Sequence, residues 1–201
     1  MFDNDLMRHS AEFNRYLAND QYEVTGEGIA FPKAGATAVG LYAHDINGGE
    51  VTIDKNMLVD EGLLYLLQVG LTARAKLPNW YLALNGNNVA PSAGLKGAAY
   101  AATAGEITSQ TEGYTEATRQ LWNPDTNISG KAELLNAANR ATFTIATASE
   151  VKIYGAALLS GNVRGSVADT LVSMVRFSNP RTGYDTDKFN LSFRVALEQK
   201  V

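Results

Sequence analysis

The chain has 201 residues, 45% of them hydrophobic, with a formal charge of -4 and a pI near 5.2. That length suits one domain with an appended arm and buries roughly 70% of the unfolded surface, so a core can form without metal or disulfide. Scattered basic residues exclude a clustered face for nucleic acid, the lack of cysteine excludes a disulfide framework and a cysteine nucleophile, and Asp3, Asp5 and Arg8 stand where a signal peptide needs an apolar run.

Phe2, Leu6, Phe13 and Leu17 recur near helical spacing among Asp3, Asn4, Arg8, Glu12, Asn14 and Arg15, which predicts a short amphipathic helix over Met1–Asn19. Such a helix either lies on its own domain or binds a partner. From Gln21 to Asn56 the stretches GEG, FPKAGATAVG and HDINGGEVTID are rich in glycine and lack a long apolar period. They read as an extended arm or loops, with short strands at Ala38–Tyr42 and Val51–Ile53. The composition changes at about Asn56, which divides the chain into an arm over 1–56 and a domain over 57–201.

The domain opens with VDEGLLYLLQVGL. Its apolar run, Leu63 to Leu71, includes Gln68 and falls far short of the ~20 residues of a membrane span, so it reads as a core helix over Asp60–Leu71. Asp60 and Glu61 suit a first turn, and Leu63, Leu66, Leu67, Gly70 and Leu71 share one face, expected to be the buried one. Pro78 stops the helix, and Trp80, Leu82 and Leu84 alternate with Tyr81 and Ala83 as a buried strand. Further strands are predicted at Tyr114–Trp122, Ala141–Ala146, Val151–Leu159, Leu171–Phe177 and Phe189–Leu197, with a weak candidate at Ala98–Thr103. Short strands at these intervals describe a mainly β protein: a β-sandwich, jelly-roll or immunoglobulin-like, with one short α-helix over an open end or face and an extended N-terminal arm.

The search for chemistry is mostly negative. His9 and His44 are too far apart to suggest a zinc site, and each reads as a surface or capping residue. DINGGE lacks glycine at the sixth position of a calcium loop and glutamate at the twelfth, so it reads as a turn between strands. GYDTDKFN fails the same test and reads as a hairpin loop, and GKAE lacks the rest of a phosphate-binding loop. GLKGAAYAATAGE lacks the strand and helix that flank a dinucleotide site and reads as a mobile loop. No catalytic, cofactor or metal residue is expected. Trp80, Tyr81, Tyr114 and Trp122 are candidates for sugar stacking, although strand positions favour core packing.

The order HDINGGEVTIDKNMLVDEGLLYLLQVGL, then NWYLAL, a Gly-Tyr-Thr-Glu-Ala-Thr-Arg stretch ending at Trp122, NAANRATFTI and VKIYGAALLSG resembles virion structural proteins of tailed bacteriophages. The similarity covers roughly Ile46 to Phe177, and the proteins it points to look like head decoration or cement proteins, often encoded near the major capsid protein. It implies a non-enzymatic protein made in the bacterial host cytoplasm and resident on the capsid surface. Its partners would be the major capsid protein and neighbouring copies of itself, as dimers or trimers, with no cofactor, nucleic acid or membrane. A tail or neck component and a carbohydrate-binding module are the alternatives. Phe2, Leu6, Phe13, Leu17 and Phe31 are the candidate partner interface.

Overall fold

The computed structural model describes residues 22–24, 30–32, 35–125 and 132–200. In chain order the strands are β1 (Tyr22–Val24), β2 (Ala30–Pro32), β3 (Gly35–Ile46), β4 (Thr52–Lys55), β5 (Met57–Leu58), β6 (Tyr81–Asn85), β7 (Gly113–Tyr114), β8 (Gln120–Leu121), β9 (Glu133–Leu135), β10 (Ala141–Ala146), β11 (Val151–Leu159), β12 (Leu171–Gly183) and β13 (Lys188–Lys200). Two helices, α1 (Asp60–Leu71) and α2 (Gly97–Ala104), interrupt them among the described residues. Contacts separate a unit Val39–Ala196 from a remainder, Met1–Ala38 with Leu197–Val201.

Within Val39–Ala196 two antiparallel sheets face each other. One has the order β4-β3-β13-β10-β7 with β9 also on β13, and the other runs β5-β12-β11-β6-β8. Alternation explains the first: Phe143 and Ile145 of β10 and Phe189, Leu191 and Phe193 of β13 point inward, with Phe143 opposite Phe189 in register. They meet Leu82, Leu84, Ala156, Leu158 and Val175 of the second sheet in one core. The Tyr42 and Ser173 hydroxyls bond across it at 2.6 Å. β-Branched and aromatic residues on the inner faces thus make a β-sandwich.

The expected boundary at Asn56 moves. Residues 39–56 belong to the sandwich, because β3 and β4 form a hairpin whose Tyr42, His44, Asp45 and Asp54 are buried. The short strands expected at Ala38–Tyr42 and Val51–Ile53 fall on β3 and β4, and Asn47 and Gly48, with φ of 55° and 73°, build the tight turn between them, as expected for DINGGE. In the remainder, β1 pairs β2 with Glu23 opposite Phe31.

The second sheet buries both faces. Its outer face, with Ala83, Ala157, Leu159 and Met174, is covered by Val59 and by Tyr100 and Ala104 of α2. The weak strand expected at Ala98–Thr103 is therefore helical, within a segment read as a loop, and the sandwich carries two short helices rather than one. A run of alanines has the highest helix propensity, and Gly105 at φ 60° closes the helix in the left-handed conformation. The strand expected over Tyr114–Trp122 is two short strands, β7 and β8, separated by irregular chain.

Helix α1 has the expected limits but the opposite orientation. Gly62 and Tyr65 are its buried residues, whereas Leu64, Leu66, Leu67 and Leu71 are exposed. A Cβ on Gly62 would come within 2.5 Å of the Val172 Cα, so glycine brings the helix backbone onto β12. Tyr65 packs edge-on to Trp80 at 5.1 Å, and its hydroxyl accepts the Leu77 amide at 2.6 Å. Leucine abounds on several sides of this helix, so periodicity did not reveal which stripe faced the sheet.

Candidate functional site

Among the described residues no three His, Cys, Asp or Glu side chains are grouped to hold a metal ion. The ionisable groups that leave water form two networks, each built across elements distant in sequence.

The first centres on Arg119, which ends the Gly-Tyr-Thr-Glu-Ala-Thr-Arg stretch just before β8. Its Nε and Nη2 donate to the two Glu106 carboxylate oxygens at 2.7 Å each, and both side chains are fully buried. Nη1 donates to Asp169 at 2.5 Å and to the Gly161 carbonyl at 2.9 Å, while Glu106 also accepts the Gly165 amide at 3.0 Å. Burial alone would lower the pKa of the guanidinium, but bonds to Glu106 and Asp169 outweigh it and raise the value, keeping Arg119 charged. The fork geometry of arginine ties the end of α2 and the loop 160–170 to the start of β8. Beside it, the Tyr100 hydroxyl donates to Asn85 at 2.5 Å, and burial pushes the Tyr100 pKa well above the ordinary phenol range.

The second network centres on His44, which is fully buried between Phe177 and Phe189 rather than at the surface or a cap. Arg181 Nε donates to His44 Nδ1 at 3.2 Å, so Nε2 carries the proton and donates to Asp54 at 3.0 Å. Asp54 also accepts the Ser178 amide at 2.8 Å, and Arg181 bonds Thr52. Burial lowers the His44 pKa, and Arg181 adds to that, against the opposing pull of Asp54. Burial would raise Asp54, yet bonds from His44 and Ser178 leave it lowered. Nearby, Asp45 accepts Asn190 at 2.9 Å and the Gly48 amide at 2.8 Å and pairs with Arg140. A His-Asp pair resembles the base of a hydrolase, but the remaining imidazole nitrogen is occupied by Arg181 and no hydroxyl nucleophile bonds it. Both networks act as cross-links between strands.

Phe2, Leu6, Phe13 and Leu17, with His9, lie outside the described residues. The structure brings Phe31 only into register on β2. Of the aromatics considered for sugar stacking, Tyr114 and Trp122 are buried, the latter donating its indole N–H to the Phe193 carbonyl at 3.1 Å, and Trp80 and Tyr81 are half-buried. These four form no exposed platform. Sequence reasoning missed Arg119 and Asp54 because their partners, from 10 to 124 residues away, follow no local period; the one visible sign was an arginine among the small and polar residues of the stretch Gly113–Arg119.

Among the described residues, two apolar places open to solvent stand out. One is the leucine face of α1. The other is a groove of about 160 Å³ on the outer face of the first sheet, lined by Leu41, Ala43, Ile53, Leu135, Ser192 and Arg194, with Ile53 62% exposed. It is smaller than the ~300 Å³ of an ordinary ligand site and suits one aliphatic side chain. Comparison with family models, curated proteins and solved structures gives no match.

Proposed function

We propose that this chain is a non-enzymatic virion structural protein of a tailed bacteriophage, a decoration or cement protein that binds the major capsid protein and stabilises the shell. The motif order from Ile46 to Phe177 suggests it. The observation that supports it is the division of labour among side chains: the buried charged groups are spent on internal cross-links, while apolar groups stand exposed on a rigid sandwich. A module of this kind works through its surfaces. Phe2, Leu6, Phe13, Leu17 and Phe31 supply a further interface that reaches a neighbouring subunit. Burying one such side chain contributes roughly 1.5 to 3 kcal/mol, so five together dominate attachment even after ordering costs.

The test is co-sedimentation of the full chain with capsids of the encoding phage assembled without it. Saturable binding with raised shell stability is expected; no binding near saturation would refute the proposal, and binding to isolated tails alone would favour a neck or tail adaptor. Removal of residues 1–34, which spares β3, is expected to weaken binding while the unit 39–196 still unfolds cooperatively.

A further inference from the structure

We propose that the outer face of α1 is a two-fold interface through which two copies of this chain associate, helix against antiparallel helix. Leu64, Leu67 and Leu71 lie at i, i+3, i+7 spacing and are 55%, 59% and 80% exposed, while Leu66, 44% exposed, flanks this stripe from another side of the helix. No other element of the described structure displays so many large apolar side chains on one face, and a patch of this kind marks an interaction site.

Gly70 lies one turn beyond Leu66 and Leu67, at the edge of this stripe. Glycine is the poorest helix former after proline, and a Cβ here would meet nothing within 4 Å, unlike Gly62, whose missing side chain admits β12. The fold gives Gly70 no reason to be glycine. A leucine crossing from a second helix does, because a bare position beside large ones forms a hole for a knob.

Charge identifies the occupant. Asp60 and Glu61 head the helix, Arg74 and Lys76 follow its last turn, and no charged residue stands between them. Among the described residues Asp60, Arg74 and Lys76 form no ion pair with one another or with any other group. A parallel pair would set like charge against like. An antiparallel pair about an axis near Leu67 sets the acidic end of each copy toward the basic segment of the other and opposes the helix dipoles. The face is therefore complementary to itself, as a two-fold contact requires. One helix of about 18 Å buries an area at or below the low end of the ~1,200–2,000 Å² of stable complexes, the size class of weak and transient contacts. This association does not depend on capsid binding.

Sedimentation equilibrium of the full chain tests it. A monomer–dimer equilibrium is expected, with Leu67→Asp and Leu71→Asp each raising the dissociation constant about 100-fold at unchanged thermal midpoint of the monomer. Asp60→Lys and Lys76→Asp each weaken the dimer, and an equal mixture of the two variants restores it, since every acidic position then faces a basic one. Leu67→Cys, in a chain without cysteine, links to itself on mild oxidation, and Ile53→Cys on the opposite sheet does not. A wild-type chain that stays monomeric overturns the proposal, as does a dimer dissociated by Ile53→Asp but not by Leu67→Asp. A mixture no tighter than its components overturns the antiparallel arrangement.

Discussion

Helices α1 and α2 meet the second sheet by the same device. Each presents glycine, tyrosine and a smaller apolar residue at i, i+3, i+7: Gly62, Tyr65 and Val69 on α1, Gly97, Tyr100 and Ala104 on α2. In both the glycine lies against backbone near the start of β12, at Val172 and at Asp169, and in both the tyrosine hydroxyl is hydrogen-bonded. Glu61 joins them, accepting the Gly97 amide at 2.7 Å and the Leu171 amide at 2.9 Å, so an acidic residue of α1 serves the positive N-terminus of α2. They differ outside. α2 shows water Ala98, Ala99, Ala102 and Thr103; α1 shows four leucines. Since the inner stripe alone suffices for α2, the leucines of α1 answer some demand other than folding.

The comparison breaks most severely where α2 has an anchor that α1 lacks. Glu106, two residues past the end of α2, is held by Arg119, and Arg119→Ala leaves that carboxylate buried and unpaired. The expected loss is about 3–5 kcal/mol in urea unfolding, with loss of protection from hydrogen exchange concentrated in α2 and loop 160–170. Arg119→Lys restores only part, because a lysine cannot make the fork. The shared glycines come next. Gly97→Ala and Gly62→Ala push a methyl group into strand backbone and are each expected to cost about 1–3 kcal/mol, whereas Gly70→Ala, with open space, is expected to stabilise the monomer by about 1 kcal/mol.

The device was only half legible in advance. Limits of α1 and the inward alternation of Phe189, Leu191 and Phe193 follow from local pattern, because each residue's neighbour decides them. Which stripe of α1 is buried depends on Val172, more than a hundred residues away, and a glycine that admits a backbone looks in sequence like one that breaks a helix. α2 was missed for the same reason: Gly97 and alanines suggested flexibility until a sheet supplied the surface they fit. The polar networks were illegible, since Glu106, Arg119 and Asp169 share no local period. Nor did sequence show that His44 would lie between two phenylalanines.

Neither helix contains histidine, so pH separates their attachment from the inter-sheet core. His44 has a folded pKa below its ordinary 6.5, so the unfolded chain binds more protons in between; stability is full above that value and falls as pH drops toward the folded pKa. Asp54, lowered from 3.8, adds a second loss below that value. The first loss, about 1.4 kcal/mol per unit of depression, is expected in thermal melts as pH falls below 6.5 and should vanish in His44→Gln, whereas Gly62→Ala should shift the whole curve without changing its slope.

Tyr65→Ala and Leu67→Ala, two residues apart on α1, set the inner stripe against the outer most directly. Urea unfolding of both is measured in protein dilute enough to be monomeric, and sedimentation in concentrated protein. Tyr65→Ala is expected to lose about 3 kcal/mol of stability, and Leu67→Ala less than about 0.5 kcal/mol while its dimer dissociates. A Leu67→Ala monomer as destabilised as Tyr65→Ala would show that the leucine face belongs to the fold and would contradict the account.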